Sequence, residues 1–229
     1  MTAVDQRDAW TKQNIGYSSR MPRHFPTEYL LRSLCSRSYF ALGKEIVPGQ
    51  KVLDLGCLYL NNLMPFADRG LDLYGVEIND DMVAVATERA ADLGMAVEIA
   101  AGHNRALPFP DGTFDFVLSI NTIHYEDGIA NVMAGLREIA RVGKPDCHFL
   151  ISTAGREHQF HRKAERLGPS RYRLATGEFR DGQVMSYFDD EAHFRGALKE
   201  VFDHVEIAVI TERYPRQNLE FYVAKCCKG

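Results

Sequence analysis

Asp54 and Glu77 stand at the ends of two apolar runs. The first, Lys51-Val-Leu-Asp-Leu-Gly56, reads as a strand closing on Asp54-Leu55-Gly56-Cys57. The second, Leu71-Asp-Leu-Tyr-Gly-Val-Glu77, closes on an acid 21 residues past Gly56. Open parallel sheets bind ligands beyond the carboxyl ends of their strands. A carboxylate there accepts from both hydroxyls of a ribose, because its two oxygens meet two donors. Gly56-Cys-Leu-Tyr-Leu-Asn61 lacks the G-x-G-x-x-G turn that lays a pyrophosphate on the N–H groups of a helix start. An acid at Asp54 suits the cationic end of a ligand instead. A nicotinamide-dependent oxidoreductase is therefore disfavoured.

The elements that must position these residues alternate from residue 50 onward between apolar runs and amphipathic stretches, the pattern of βαβ units around a parallel sheet. A helix is expected from the first strand to about Asp68. Asp80 reads as the N-cap of a helix burying Val83, Ala86, Ala90 and Leu93, with Gly94 as its stop. Strands follow at about 95–101 and at Phe114–Ile120. A helix then buries Ile129, Val132, Met133, Leu136 and Ile139 and ends near Gly143 and Pro145, before a strand at Cys147–Ser152. A last helix spans about Asp190–Val201. Two β-rich runs, 204–212 and 218–226, are joined by a connection too short for a helical crossover, so they should be antiparallel. The expected fold is α/β: a Rossmann-like, doubly wound seven-stranded sheet, mostly parallel with an antiparallel C-terminal strand, and helices on both faces. Residues 1–47 read as an N-terminal helical extension or lid. Its helix over 27–42 puts Leu31, Leu34, Cys35, Tyr39 and Leu42 on one face, with Gly43 as the stop, while Trp10, Tyr17, Arg20, Arg23, His24 and Phe25 show no periodicity. Residues 48–229 form the main domain, interrupted at about 155–187 by a polar, Arg-rich insertion.

Four motifs in order carry a family resemblance. Val52-Leu-Asp-Leu-Gly-Cys57 resembles motif I of the class I S-adenosylmethionine-dependent methyltransferases, in particular the type 11 methyltransferase domain. Tyr74-Gly-Val-Glu-Ile78 is similar to that family's ribose-binding strand end. Gly102-His-Asn-Arg-Ala-Leu-Pro-Phe109, followed by Pro110-Asp-Gly-Thr-Phe-Asp115, resembles its next motif. Arg137-Glu-Ile-Ala-Arg-Val-Gly-Lys-Pro145 resembles its last. The resemblance implies S-adenosylmethionine as cofactor and S-adenosylhomocysteine as product, with no metal. Asp54, Gly56 and Cys57 would face the methionine part, Glu77 would hold the ribose, Ile78 would pack on the adenine, and His103 and Asn104 would meet the adenine edge. Ser119 would lie near the amino-acid end, with Asn121 and His124 towards the transferred methyl group. A base is needed only where the acceptor loses a proton. His124 is the first candidate, since histidine titrates near neutral pH; Tyr125 and Glu126 are the others.

One departure bears on activity. The family prefers glycine where this chain has Leu58 and Leu60. Glycine permits close backbone approach and positive φ, so a leucine would fill the pocket or push the loop outward. The leading expectation is a methyltransferase acting on a small-molecule acceptor, a sugar or specialised metabolite among them. The alternative is a catalytically silent member of the fold serving as a binding or scaffold subunit.

Composition narrows the partners. A formal net charge of −4 argues against sequence-blind nucleic-acid binding, which needs a strongly basic face. No stretch is apolar enough to span a bilayer, and Met1–Trp10 has neither a basic nor an apolar leader region. Five cysteines without a C-x-x-C pair point to a reducing, cytoplasmic setting. Glu157, His158 and His161 lack a further ligand for a metal site. The Arg content of 155–187, together with Tyr172, suits an acidic, phosphorylated or polar acceptor under a cover; a solvated charged face is the competing reading. A homodimer is left open.

Overall fold

A computed structural model describes residues 11, 25–36, 38–41, 43–175 and 180–228. Trp10, Tyr17, Arg20, Arg23, His24 and Leu42 lie outside the described residues, as do the side chains of Leu34 and Cys35.

The central sheet has seven strands in the order β3-β2-β1-β4-β5-β10-β9. In chain order these are β1 (Lys51–Leu55), β2 (Asp72–Glu77), β3 (Val97–Ala101), β4 (Phe114–Ile120), β5 (Gly143–Ala154), β9 (His204–Arg213) and β10 (Asn218–Cys227). Strands β3, β2, β1, β4 and β5 pair in parallel, and β10 runs antiparallel to both β5 and β9. The expected seven-stranded architecture and its closing antiparallel pair are therefore present. Strand β1 has four buried residues in a row, as a strand covered on both faces requires. Its alternation divides the core. Leu53 and Leu55 join one apolar cluster with Val132, Leu136, Ile139, Phe194 and Leu198. Val52 joins a second, on the other face, with Leu60, Leu63, Phe66, Leu73 and Ala86.

Helix α1 (Glu28–Cys35) stops well before Gly43, and its inward face is Tyr29, Leu30 and Ser33. Leu31 and Tyr39, expected inside, are 38% and 54% exposed. A one-residue change of register turns a helix by about 100°, and the Tyr-Leu-Leu run admits either setting. The helix expected after β1 reduces to one turn, α2 (Met64–Ala67), because Leu58 and Leu60 take positive φ of 20° and 61°. Helix α3 (Asp80–Leu93) is capped by Asn79, whose side chain accepts from Met82 N at 3.0 Å, one residue before the expected cap. Its buried residues are Met82, Ala86 and Ala90, with Val83 and Leu93 half-buried. Helices α4 (Ile129–Val142) and, near the C-terminus, α6 (Glu191–Lys199) cover the opposite face.

The insertion after β5 is structured. It contains the short α5 (Gln159–Arg162) and an antiparallel sheet of β6 (Ala164–Gly168), β7 (Arg171–Leu174) and β8 (Val184–Ser186). Sequence reading found no strand there, since charged residues alternate with the apolar ones that face in. Tyr172, Leu174 and Met185 bury against Ala154 and Tyr187. The small sheet is pinned to the segment after β4: Ser186 Oγ donates to Glu126 O and accepts from Gly128 N, and Arg171 pairs with Asp127. Among the described residues no helix is long and apolar enough to cross a membrane.

Candidate active site

A cavity of about 520 Å³ opens at the carboxyl ends of β1, β2, β3 and β4, within the usual range for small-molecule sites of roughly 300–1,000 Å³. Each strand delivers its wall through the turn that follows it. Gly56, Cys57 and Leu58 come from β1, Glu77 and Ile78 from β2, His103 and Asn104 from β3, and Asn121 and Tyr125 from β4. Nine of the twelve site candidates named from the sequence (Gly56, Cys57, Glu77, Ile78, His103, Asn104, Asn121, Tyr125 and Glu126) thus line the cavity. Asp54, Ser119 and His124 lie behind it, buried at 0%, 0% and 5% exposure.

Glu77 is 3% exposed and accepts from Leu58 N at 2.8 Å and from its neighbour Ile78 N at 3.4 Å. Burial pushes its carboxyl up to about 7, against the pull of those two N–H groups. Asp54 is more extreme. Among the described residues neither of its oxygens has a hydrogen-bond partner. Burial first, then the charge of Glu77, holds its carboxyl well above the usual range, with Asn62 opposing. Two buried acids therefore lie at this bend. Gly56 itself has φ +68°, and a Cβ there would meet Thr122 Cγ2 at 3.1 Å. Leu58 and Leu60 adopt positive φ that a leucine resists by about 1–2 kcal/mol. Their side chains part company: Leu60 is fully buried in the core, and only Leu58 lines the cavity.

On the far wall, Glu126 gathers the adenine-side candidates. Its carboxylate accepts from Asn104 Nδ2 at 3.2 Å and from Arg105 Nε at 3.0 Å, and lies 3.6 Å from His103 Nδ1. Asn121 has φ +57° and sits in a network that sequence reading missed. Tyr29 of α1 shares a 3.1 Å hydrogen bond with Ser152 Oγ and accepts from Asn121 Nδ2 at 3.3 Å, while Ser152 Oγ donates to Asn121 Oδ1. Ser119 pairs with Thr122 Oγ1 at 2.6 Å. Expected towards the reacting group, His124 instead faces Thr153 Oγ1 at 3.5 Å and packs on Tyr125 at 4.4 Å between ring centroids. Burial, with Arg180 and His158 adding to it, holds its imidazole well below the ordinary range. The inserted sheet closes the cavity with Arg180 and Gln183, neither of which sequence reading assigned to a site. The Arg-rich composition of the insertion was the only signal for them.

The last two motifs have structural work. Arg141 donates to Glu138, to Asp111, and to the carbonyls of Leu107 and Phe109. Leu107 N donates back to Glu138 at 2.8 Å. Together they clamp the turn that leads from β3 into β4.

Residues 53–151 match the model of the methyltransferase domain family that the four motifs suggested. Over that stretch the chain is similar to a methyltransferase domain. Over 126 residues it is 31% identical to a sterol 4-C-methyltransferase of Caenorhabditis elegans, spanning 54% of this chain and 36% of the relative. Over 109 residues it is 37% identical to a demethylmenaquinone methyltransferase of Renibacterium salmoninarum, spanning 46% and 42%. The matched part is thus less than half of either relative. Among solved structures, a phosphoethanolamine N-methyltransferase of Haemonchus contortus, in complex with phosphomonomethylethanolamine and S-adenosylhomocysteine, superposes with a TM-score of 0.69 at 17% identity. That superposition covers 98% of this chain and 60% of the other, and shows the shared fold.

Proposed function

We propose that the chain is an S-adenosylmethionine-dependent methyltransferase acting on a small-molecule acceptor. One observation carries the reading: a buried carboxyl, Glu77, stands on a strand-end cavity beside the left-handed bend at Gly56. The residues fit the cofactor. Glu77 offers two acceptor oxygens to a ribose diol. Asp54 places a second acid behind the bend, and a cation bound nearby would draw its carboxyl towards the charged form. Gly56 keeps the bend clear of a side chain, and Ile78, His103 and Asn104 surround the remaining space. When bound, S-adenosylmethionine supplies an electrophilic methyl group on a sulfonium centre.

What the chain's own residues do is hold and align. In-line displacement gains mainly from fixing the acceptor atom at about 3–3.5 Å and excluding water. Tyr29 and Ser152 fix Asn121, and the inserted sheet covers the opening. Tyr125, not His124, offers its polar atom to the acceptor, and His124 backs its ring. Leu60 spends its side chain on the core, which leaves the cavity open at the position where glycine is preferred. Calorimetry with S-adenosylmethionine and S-adenosylhomocysteine tests the reading. Binding in the micromolar range is expected; folded protein that binds neither at millimolar concentration overturns it.

A further inference from the structure

The two halves of the cavity differ in chemistry. The turns after β1 to β4 supply its acids, its small or amide side chains and the Arg105–Glu126 pair, whereas the inserted sheet supplies a second cation. Arg180 lies just before β8, with its guanidinium 4.8 Å from the Tyr125 ring centre and 5.9 Å from that of Phe160, and it donates to the Tyr125 hydroxyl. Burial is the main influence on it and lowers its proton affinity to about 10, against an opposing pull from Tyr187. It is a full cation at neutral pH, held where water screens it weakly. Beside it, Gln183 is 6% exposed and, among the described residues, its Nε2 has no hydrogen-bond acceptor. Buried donors are almost always met by protein, water or ligand.

A guanidinium in a water-poor wall attracts an anion more strongly than one in bulk water, and its planar fork matches two oxygens on one carbon. The charge of that anion is limited by what else faces the cavity. Glu77 and Glu126 are both buried on its walls, and Arg105 already pairs with Glu126 at 3.0 Å. A doubly charged phosphate would set two further negative charges against one cation. A carboxylate sets one.

We propose that Arg180 and Gln183 form the acceptor subsite and that it selects an acceptor bearing a carboxylate. The carboxylate meets the guanidinium fork and supplies the acceptor that Gln183 Nε2 lacks. This rests on the methyl-transfer reading, and deepens it by naming the acceptor's chemical class.

The test uses the full chain saturated with S-adenosylhomocysteine, so that no transfer occurs. It is titrated with 4-hydroxybenzoate, with its neutral isostere 4-hydroxybenzamide, and with 4-hydroxyphenyl phosphate. The carboxylate is expected to bind at least about tenfold more tightly than the amide, and no less tightly than the phosphate. Arg180→Met is expected to abolish the carboxylate-over-amide preference and Arg180→Lys to keep part of it, each measured at saturating S-adenosylhomocysteine. Equal binding of carboxylate and amide, absence of binding by either, tighter binding of the phosphate, or a preference that survives Arg180→Met overturns the proposal. Melting curves show whether Arg180→Met is folded at the assay temperature. Where it is not, the wild-type comparison and the Lys variant decide. Failure of S-adenosylhomocysteine to bind counts against the methyl-transfer reading alone, since the carboxylate–amide comparison is then read on the ligand-free chain.

Discussion

The two ends of β1 treat buried acids in opposite ways. At the amino end, Asp115 of β4 accepts from Lys51 N at 2.9 Å and from Lys144 Nζ at 2.8 Å, with Lys44 Nζ at 3.5 Å. Burial alone would raise its carboxyl, but the Lys144 hydrogen bond, the Lys51 N–H and the two lysine charges together hold it below the usual range. At the carboxyl end, among the described residues, Asp54 has no hydrogen-bond partner and Glu77 has two backbone N–H groups; both carboxyls are raised. A fold settles its structural acids with cations of its own. Acids left without that settlement are candidates for a place where a ligand completes the arrangement.

The sharpest way to break this contrast is to exchange its consequences. Glu77→Ala is expected to weaken S-adenosylhomocysteine binding by about 100-fold, since two charge-assisted hydrogen bonds to a diol are worth roughly 1.5–3 kcal/mol each before compensation. Isothermal calorimetry reads this, and an unchanged affinity would remove Glu77 from the site. Asp115→Ala is the mirror experiment. It is expected to lower unfolding stability by about 2 kcal/mol, below the full cost of breaking a buried pair because Lys144 is more than a third exposed. Urea titration measures that loss, and cofactor affinity should hardly move.

A titration sharpens the same contrast. The folded-state value of Glu77, about 7, lies above its ordinary 4.5. The folded chain therefore keeps a proton that the unfolded chain loses between those values. The group's contribution is complete below about 4.5, declines as pH rises, and levels off above about 7. Half-buried His148 and buried His158, both lowered to about 4, act in the opposite sense over part of that window, becoming favourable as pH rises. The informative quantity is thus the stability of the wild type minus that of Glu77→Gln. It should fall by about 1 kcal/mol per pH unit between pH 5 and 7. A flat difference would mean that Glu77 titrates normally.

Much of this was legible in the sequence, for physical reasons. Strands buried on both faces read as apolar runs, so Val52–Leu55 and Phe114–Ile120 declared themselves. The four-residue link 214–217 forced the antiparallel pair. The acids Asp54 and Glu77 were legible because the ends of parallel strands are where ligands gather. Side-chain direction was not. His124 follows β4 as expected, but a short 3₁₀ turn over Ile123–Tyr125 sends its ring behind the wall and leaves Tyr125 on it. Tyr29 depended on a one-residue helical register. Arg180 and Gln183 depended on a sheet whose strand Arg171-Tyr-Arg-Leu174 hides its inward Tyr172 and Leu174 between exposed arginines.

The finest comparison lies within the bend itself. Leu58 and Leu60 hold positive φ where the family prefers glycine, yet only Leu60 gains a core position in return. Replacing Leu60 by glycine relieves about 1–2 kcal/mol of backbone strain but removes a fully buried side chain, a loss of roughly 2–5 kcal/mol in comparable truncations. The added freedom of the unfolded chain costs up to about 1 kcal/mol more. The net expectation for Leu60→Gly is a destabilisation of about 2 kcal/mol. At Leu58 the side chain is only half-buried on the cavity wall, so strain relief and unfolded-state entropy nearly cancel. Leu58→Gly should leave stability within about 1 kcal/mol of wild type. Paired urea titrations read the difference. Equal losses at both sites would mean that the two leucines are held by the same contacts. That result would contradict a bend in which one leucine anchors the loop in the core while its neighbour merely lines the space where the cofactor is proposed to bind.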